Sequence, residues 1–284
     1  MKKEIFGFDA FSPSEIGERV ENIGVVKARL PLLSMTLLGI LAGSFIALGA
    51  MFYTLVISDA GLSFAASRIL GGLVFSLGLV MVIVAGAELF TGNNLLVMAW
   101  ADGHISGLEV IRNWTLVSLS NLIGAAGVAV IVFLSGHLNM ANGAVGNTYV
   151  KISSFKCSIE FVPAFFSGML CNILVCLSVW MSQAGRSVTD KFVVIVAPIT
   201  AFVACGFEHS IANMYFIPMG LLIKHFSDFN GDTSSITIMG MLQNLLPVVL
   251  GNLAGGAGFV SLFYYFIYKR SALNVRSEPP NESA

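Results

Sequence analysis

Six apolar segments, near residues 31–57, 69–101, 110–135, 157–183, 191–224 and 237–268, reach or exceed the ~20 residues that a helix needs to cross the hydrocarbon core of a bilayer. Charged residues make up 11% of the chain and hydrophobic ones 56%, against roughly 25% and 45–50% in soluble domains. Lipid is therefore the expected solvent. The expected fold is an all-α membrane protein with six transmembrane helices over residues 31–270, preceded by a polar segment over 1–30 and followed by a polar tail over 271–284 whose composition favours disorder. A net charge of -1 offers no field that would recruit nucleic acid.

Residues 1–30 lack the short apolar core of a cleavable signal peptide. An amphipathic helix is expected to begin there at the Ser12-Pro13-Ser14-Glu15 cap signal. An even number of crossings puts both termini on one side of the membrane. That side collects most of the basic residues, among them Lys2, Lys3, Arg19, Lys27, Arg29 and Arg112, whereas Arg68, Lys151, Lys156 and Lys224 fall on the other. Both termini are thus expected in the cytoplasm.

The second and fifth spans are overlong and interrupted by polar residues and glycine. Gly86-Ala87-Glu88-Leu89-Phe90-Thr91-Gly92-Asn93 in one matches Gly206-Phe207-Glu208-His209-Ser210-Ile211-Ala212-Asn213 in the other, with Gly, Glu and Asn at identical spacing. A second match pairs Ser120-Asn121-Leu122-Ile123-Gly124 with Gly251-Asn252-Leu253-Ala254-Gly255. Two halves of three crossings each must enter the membrane in opposite senses, so the repeat is inverted, and matched breaks point to a transport site near the midplane.

Glu88 and Glu208 are the acids placed at depth, where an ionised side chain costs at least ~2.5–3.5 kcal/mol. They either brace the breaks by accepting hydrogen bonds from freed backbone N–H groups or touch the substrate. The same alternatives hold for Asn93, Asn213, Thr91 and Ser210, the last two also suited to capping the half-helix that follows. His209 is the one histidine of the four placed at depth, beside a break. Half-helix N-termini at the breaks would favour a small anion. Gly39 with Gly43 and Gly251 with Gly255 permit close helix approach, within one protomer or between subunits. Cys157, Cys171, Cys176 and Cys205 form no metal-type spacing and read as small buried hydrophobes, so no metal or cofactor is expected.

The strings GAELFTG, CNILVCLSVWMS, GRSVTDK, GFEHSIANM with IPMG after it, and GNLAGG resemble those of the formate/nitrite transporter family, from about residue 30 to 270. The resemblance implies an aquaporin-like protomer in a homopentamer in the inner membrane, with a pore through each protomer. It implies a chamber containing His209 and Thr91, with Asn172 lining the pore and Lys156 drawing anions into the outer vestibule. Leu79, Leu89, Phe90 and Val175 would form the cytoplasmic constriction, and Phe75 and Phe202 the outer one. Ile217-Pro218-Met219-Gly220 looks more like the formate branch, whereas Thr91-Gly92 is also familiar from nitrite-type members.

Formate is accordingly the expected substrate, with nitrite or hydrosulfide as alternatives. Protons are expected as co-substrates, relayed at the chamber by His209 and Thr91, so that the neutral acid passes the gates. An enzyme is not expected, because no HExxH, GxSxG or clustered metal-ligand motif is present.

Overall fold

The computed structural model describes residues 10–59, 61–227 and 231–270. The disorder expected for 271–284 lies outside them, as do residues 1–9. Among the described residues every regular element is helical. Six helical stretches are long and apolar enough to cross a membrane: Leu32–Ile57, Phe64–Gly86, Gly107–Leu134, Phe161–Ser182, Val188–Cys205 and Ile238–Lys269.

Helix α1 (Pro13–Ala28) begins at the expected cap, with Ser12 and Glu15 forming a reciprocal capping box and Pro13 in the first turn. Helix α2 (Leu32–Ile57) follows at once. The second span is α3 (Phe64–Phe75), α4 (Leu77–Met81) and a wide π-helical turn over Val82–Gly86, then an unwound segment, a tight turn over Gly92–Leu96 and α5 (Val97–Ala101). The third span is α6 (Gly107–Leu134), again started by a capping box, Ser106 with Glu109.

The second half runs through α7 (Ala144–Cys157), α8 (Phe161–Ser182), α9 (Val188–Cys205), the second unwound segment, α10 (Ser210–Phe226) and α11 (Ile238–Leu253). The last span continues through π-helical turns and the short α12 (Leu262–Tyr264). Helix α7 falls between the third and fourth apolar segments, where mixed polar and apolar residues carry no membrane-span signal.

Both unwound segments start at a glycine in the left-handed region, Gly86 at φ 82° and Gly206 at φ 76°. A side chain is disfavoured there, and Gly206 closes α9 by donating back to Phe202 and Val203 carbonyls. Helix α2 packs along α6 as α8 packs along α11. These matching pairs are why the spaced glycines exist. A Cβ on Gly43 would strike the Asn121 carbonyl, and one on Gly251 the Phe165 carbonyl. The GxxxG patterns therefore serve contact inside one protomer.

Helix α1 packs on the Gly92–Leu96 turn and α5, and α7 packs on α10. Each repeat thus opens with a short helix laid against the far half of its own broken span. Of the four cysteines, Cys157, Cys171 and Cys176 are buried as expected, but Cys205 is exposed: it ends α9, the span with the smallest share of its residues buried.

Candidate functional site: two mirrored breaks around a His–Thr pair

At the first break, Glu88 Oε1 pairs with Lys27 Nζ at 2.9 Å and Oε2 accepts from Asn93 Nδ2 at 2.7 Å. Asn93 Nδ2 also reaches Asn113 Oδ1 at 2.9 Å, and Asn113 Nδ2 returns to the Lys27 carbonyl at 3.2 Å. The second break repeats this group for group. Glu208 Oε1 meets Lys156 Nζ at 2.8 Å, and Oε2 accepts from Asn213 Nδ2 at 2.7 Å. Asn213 Nδ2 reaches Asn244 Oδ1 at 2.6 Å, and Asn244 Nδ2 donates to the Lys156 carbonyl at 2.9 Å. Each buried carboxylate has its own ammonium and amide donors, which is the condition for keeping a charge in a low-dielectric interior.

The freed backbone is held by different residues. Asn121 Oδ1 accepts from Phe90 N at 3.0 Å while its Nδ2 donates to the carbonyls of Glu88 at 2.9 Å and Gly39 at 2.8 Å. Asn252 does the same for Ser210 N at 3.1 Å, Glu208 O at 3.1 Å and Gly168 O at 2.8 Å. The glutamates therefore do not cap the opened backbone, as the bracing expectation had it. The asparagines of the matched Asn-Leu-x-Gly segments do, since one amide offers both an acceptor and donors.

Capping also falls to a different residue. His209 is the N-cap of α10, its Nδ1 accepting from Ala212 N at 3.1 Å, whereas the Ser210 hydroxyl is buried with no hydrogen-bond partner and Thr91 makes no capping bond. An imidazole nitrogen that accepts a backbone N–H carries no proton. The ring's single proton is then on Nε2, which lies 3.0 Å from Thr91 Oγ1. Phe202 stacks on the ring with centroids 5.9 Å apart. Asn172 Nδ2 ties the two breaks together, reaching the Thr91 carbonyl at 3.3 Å and the Asn252 carbonyl at 2.7 Å.

Three cavities lie in line. A void of about 10 Å³ is walled by Leu79, Leu89, Val175, Phe75, Phe202 and His209, together with Ile46 and Ile199; Phe90 does not line it. Phe75, Phe202 and His209 also border a cavity of about 380 Å³ on the α7 side, which includes Lys156 and Glu208. Leu79 and Leu89 also border a cavity of about 50 Å³ on the α1 side, which includes Lys27 and Asn93. The shared walls give the order: α7-side vestibule, then Phe75, Phe202 and His209 together, then Leu79 and Leu89, then the α1-side vestibule; Thr91 meets this path through its bond to His209 and, like Asn172, borders none of the three cavities. Lys27, Asn113 and Asn244 were not singled out by the sequence reading. Extending the alignment that pairs Glu88 with Glu208 would have placed Asn147 opposite Lys27; the Lys27–Lys156 correspondence sits at a different offset and shows only in the contacts.

A broken-helix, inverted-repeat membrane protein with an axial path of this kind is a transmembrane conduit by class. The family model described as "Formate/nitrite transporter" matches residues 14–266, and the chain belongs to that family. It is 40% identical over 272 residues to formate channel FocA of Haemophilus influenzae, covering 92% of this chain and 95% of that one. It is 38% identical to formate channel FocB of Escherichia coli, covering 90% and 93%. Among solved structures, a pentameric formate channel with formate bound matches with TM-score 0.77 and 38% identity over 84% of this chain and 97% of that one. An FNT family ion channel matches with TM-score 0.80 and 27% identity, covering 89% and 99%.

Proposed function

We propose that this protein passes formate through a pore in each protomer of a homopentamer, in the inner membrane, with both termini and α1 on the cytoplasmic side. The observation that carries the reading is a path bordered by His209, itself hydrogen-bonded to Thr91, and narrowed by Phe75 with Phe202 and by Leu79 with Leu89, with a vestibule at each end that holds a lysine paired to a buried glutamate. Relatives named as formate channels favour formate over nitrite or hydrosulfide.

Formate reaches either vestibule as the anion, meeting Lys156 with Arg68 and Lys151 beside it outside and Lys27 inside. Leu79, Leu89 and Val175 close the cytoplasmic end and Phe75 with Phe202 the outer end. A bare carboxylate crossing such a constriction pays a desolvation cost of several kcal/mol, whereas protonating an acid of pKa near ~4 at pH 7 costs roughly 4 kcal/mol, and less once burial has raised its pKa. The substrate therefore crosses as the neutral acid.

His209 holds its only proton on Nε2 while Nδ1 is engaged by Ala212, so in this conformation it gives a hydrogen bond and no proton. The proton travels with the substrate from the vestibule, and Thr91 and His209 orient the acid as it passes. At neutral pH formate and its proton move together in either direction down their combined gradient; an acidic exterior turns this into proton-coupled import. Competition fluxes in proteoliposomes test the substrate: formate transport blocked by formate analogues but not by nitrite supports the reading, and nitrite transported faster than formate would overturn it.

A further inference from the structure

The α7-side vestibule is far larger than its proposed cargo requires. Formate has three heavy atoms, yet the cavity measures about 380 Å³, within the roughly 300–1,000 Å³ of pockets that enclose whole small molecules. Its α1-side counterpart holds about 50 Å³. We propose that this vestibule is a binding site for an aromatic monoanion, one too large to pass Phe75 and Phe202, which there competes with formate arriving from outside. The proposal rests on the pore reading above.

Charge and wall chemistry both point to that ligand. Three cations border the cavity, Arg68, Lys151 and Lys156, against one carboxylate, Glu208. Glu208 is already paired with Lys156, so two positive charges face the space without a carboxylate partner. Arg68 is held in place, its Nε on the Ala204 carbonyl at 2.9 Å and its Nη1 on the Tyr53 hydroxyl at 3.2 Å. The rest of the wall carries several aromatic rings, including Phe155, Phe207 and Phe216, surfaces suited to stacking on a ring.

Only the Lys–Glu clamp is inherited from the scaffold that the two repeats share. Through the relation that pairs Lys27 with Lys156 and Glu88 with Glu208, Lys151 falls on Asn22, Phe155 on Val26, Phe207 on Ala87 and Phe216 on Leu96. The clamp is common to both vestibules. The extra cations, Arg68 and Lys151, and the rings border one vestibule alone.

Benzenesulfonate is the probe, because it stays ionised and does not cross the bilayer. Calorimetry on the purified full-length protein should show saturable binding, with methanesulfonate, which lacks the ring, at least about tenfold weaker. Lys151→Gln, on the exposed face of α7, should weaken binding by roughly 2–5-fold, and Arg68→Gln by a similar factor. In proteoliposomes, external benzenesulfonate should raise the formate concentration for half-maximal uptake and leave the saturated rate unchanged. No saturable binding, equal binding of the two sulfonates, or equal affinity in wild type and Lys151→Gln would overturn the proposal. Formate flux without sulfonate binding defeats this inference alone; sulfonate binding that follows the variants, in a protein that does not carry formate, defeats the pore reading and leaves the site standing.

Discussion

Thr91 Oγ1 and His209 Nε2 lie 3.0 Å apart, although 118 residues separate them in the chain and each sits on a different unwound segment. The contact joins the two inverted repeats at their shared midpoint. Its direction is set three residues away, where Ala212 N occupies His209 Nδ1.

Asn121 and Asn252 hold the opened backbone, so each is expected to matter more for folding than for conduction. Asn121→Ala strands the buried Phe90 N–H and the Glu88 carbonyl, at about 1–3 kcal/mol for each buried group left unpaired. Detergent-solubilised Asn121→Ala and Asn252→Ala should both aggregate at clearly lower temperature than wild type. Wild-type thermal stability in either would show that the breaks are held by something else.

The Lys–Glu clamps give a sharper test through a double-mutant cycle. Lys156→Met leaves the Glu208 carboxylate buried without its cation, a change that costs about 3–5 kcal/mol in comparable sites. Adding Glu208→Gln should return part of that loss, since Asn213 and Asn244 can still bond the amide oxygen. The same pattern is expected for Lys27→Met with Glu88→Gln. Additive losses in both cycles would contradict a coupled pair.

Glu21 on α1 predicts a pH effect. Burial is the largest influence on its carboxyl and raises it above the ordinary range; Lys269 opposes this and Asp102 adds to it. His104 Nε2 lies 2.6 Å from it, and Lys269 also pairs with it. A raised folded-state value means that the protonated form favours folding. Its stabilising contribution is present below the ordinary carboxylate range and fades as pH rises through the raised value. Glu21→Gln should flatten the corresponding part of the stability–pH profile recorded by thermal unfolding between pH 4 and 7; an unchanged slope would count against the assignment.

Much of this architecture was legible in the chain because lipid allows few solutions. Apolar length set the six spans, and the recurrence of Gly, Glu and Asn located both breaks. His209 stood out because histidine at depth needs a reason. What stayed hidden was who bonds to whom. Lys27 reaches Glu88 across 61 residues of sequence, and Asn113 and Asn244 look like any polar residue on a long helix. The capping role passed from Ser210 to His209 because an imidazole nitrogen at that position meets Ala212 N directly. Helix α7 escaped notice since its mixed pattern resembles that of a polar loop.

Proton-to-formate stoichiometry in proteoliposomes across external pH, for wild type and His209→Phe, tests the mechanism most directly. Wild type should alkalinise the exterior as formate enters from an acidic medium. His209→Phe removes the Nε2 donor and the α10 cap, worth about 1 kcal/mol of stability, and should lose most formate flux at neutral pH. Formate flux in His209→Phe equal to wild type, or uptake from an acidic exterior with no proton movement, would contradict passage as the neutral acid oriented by Thr91 and His209.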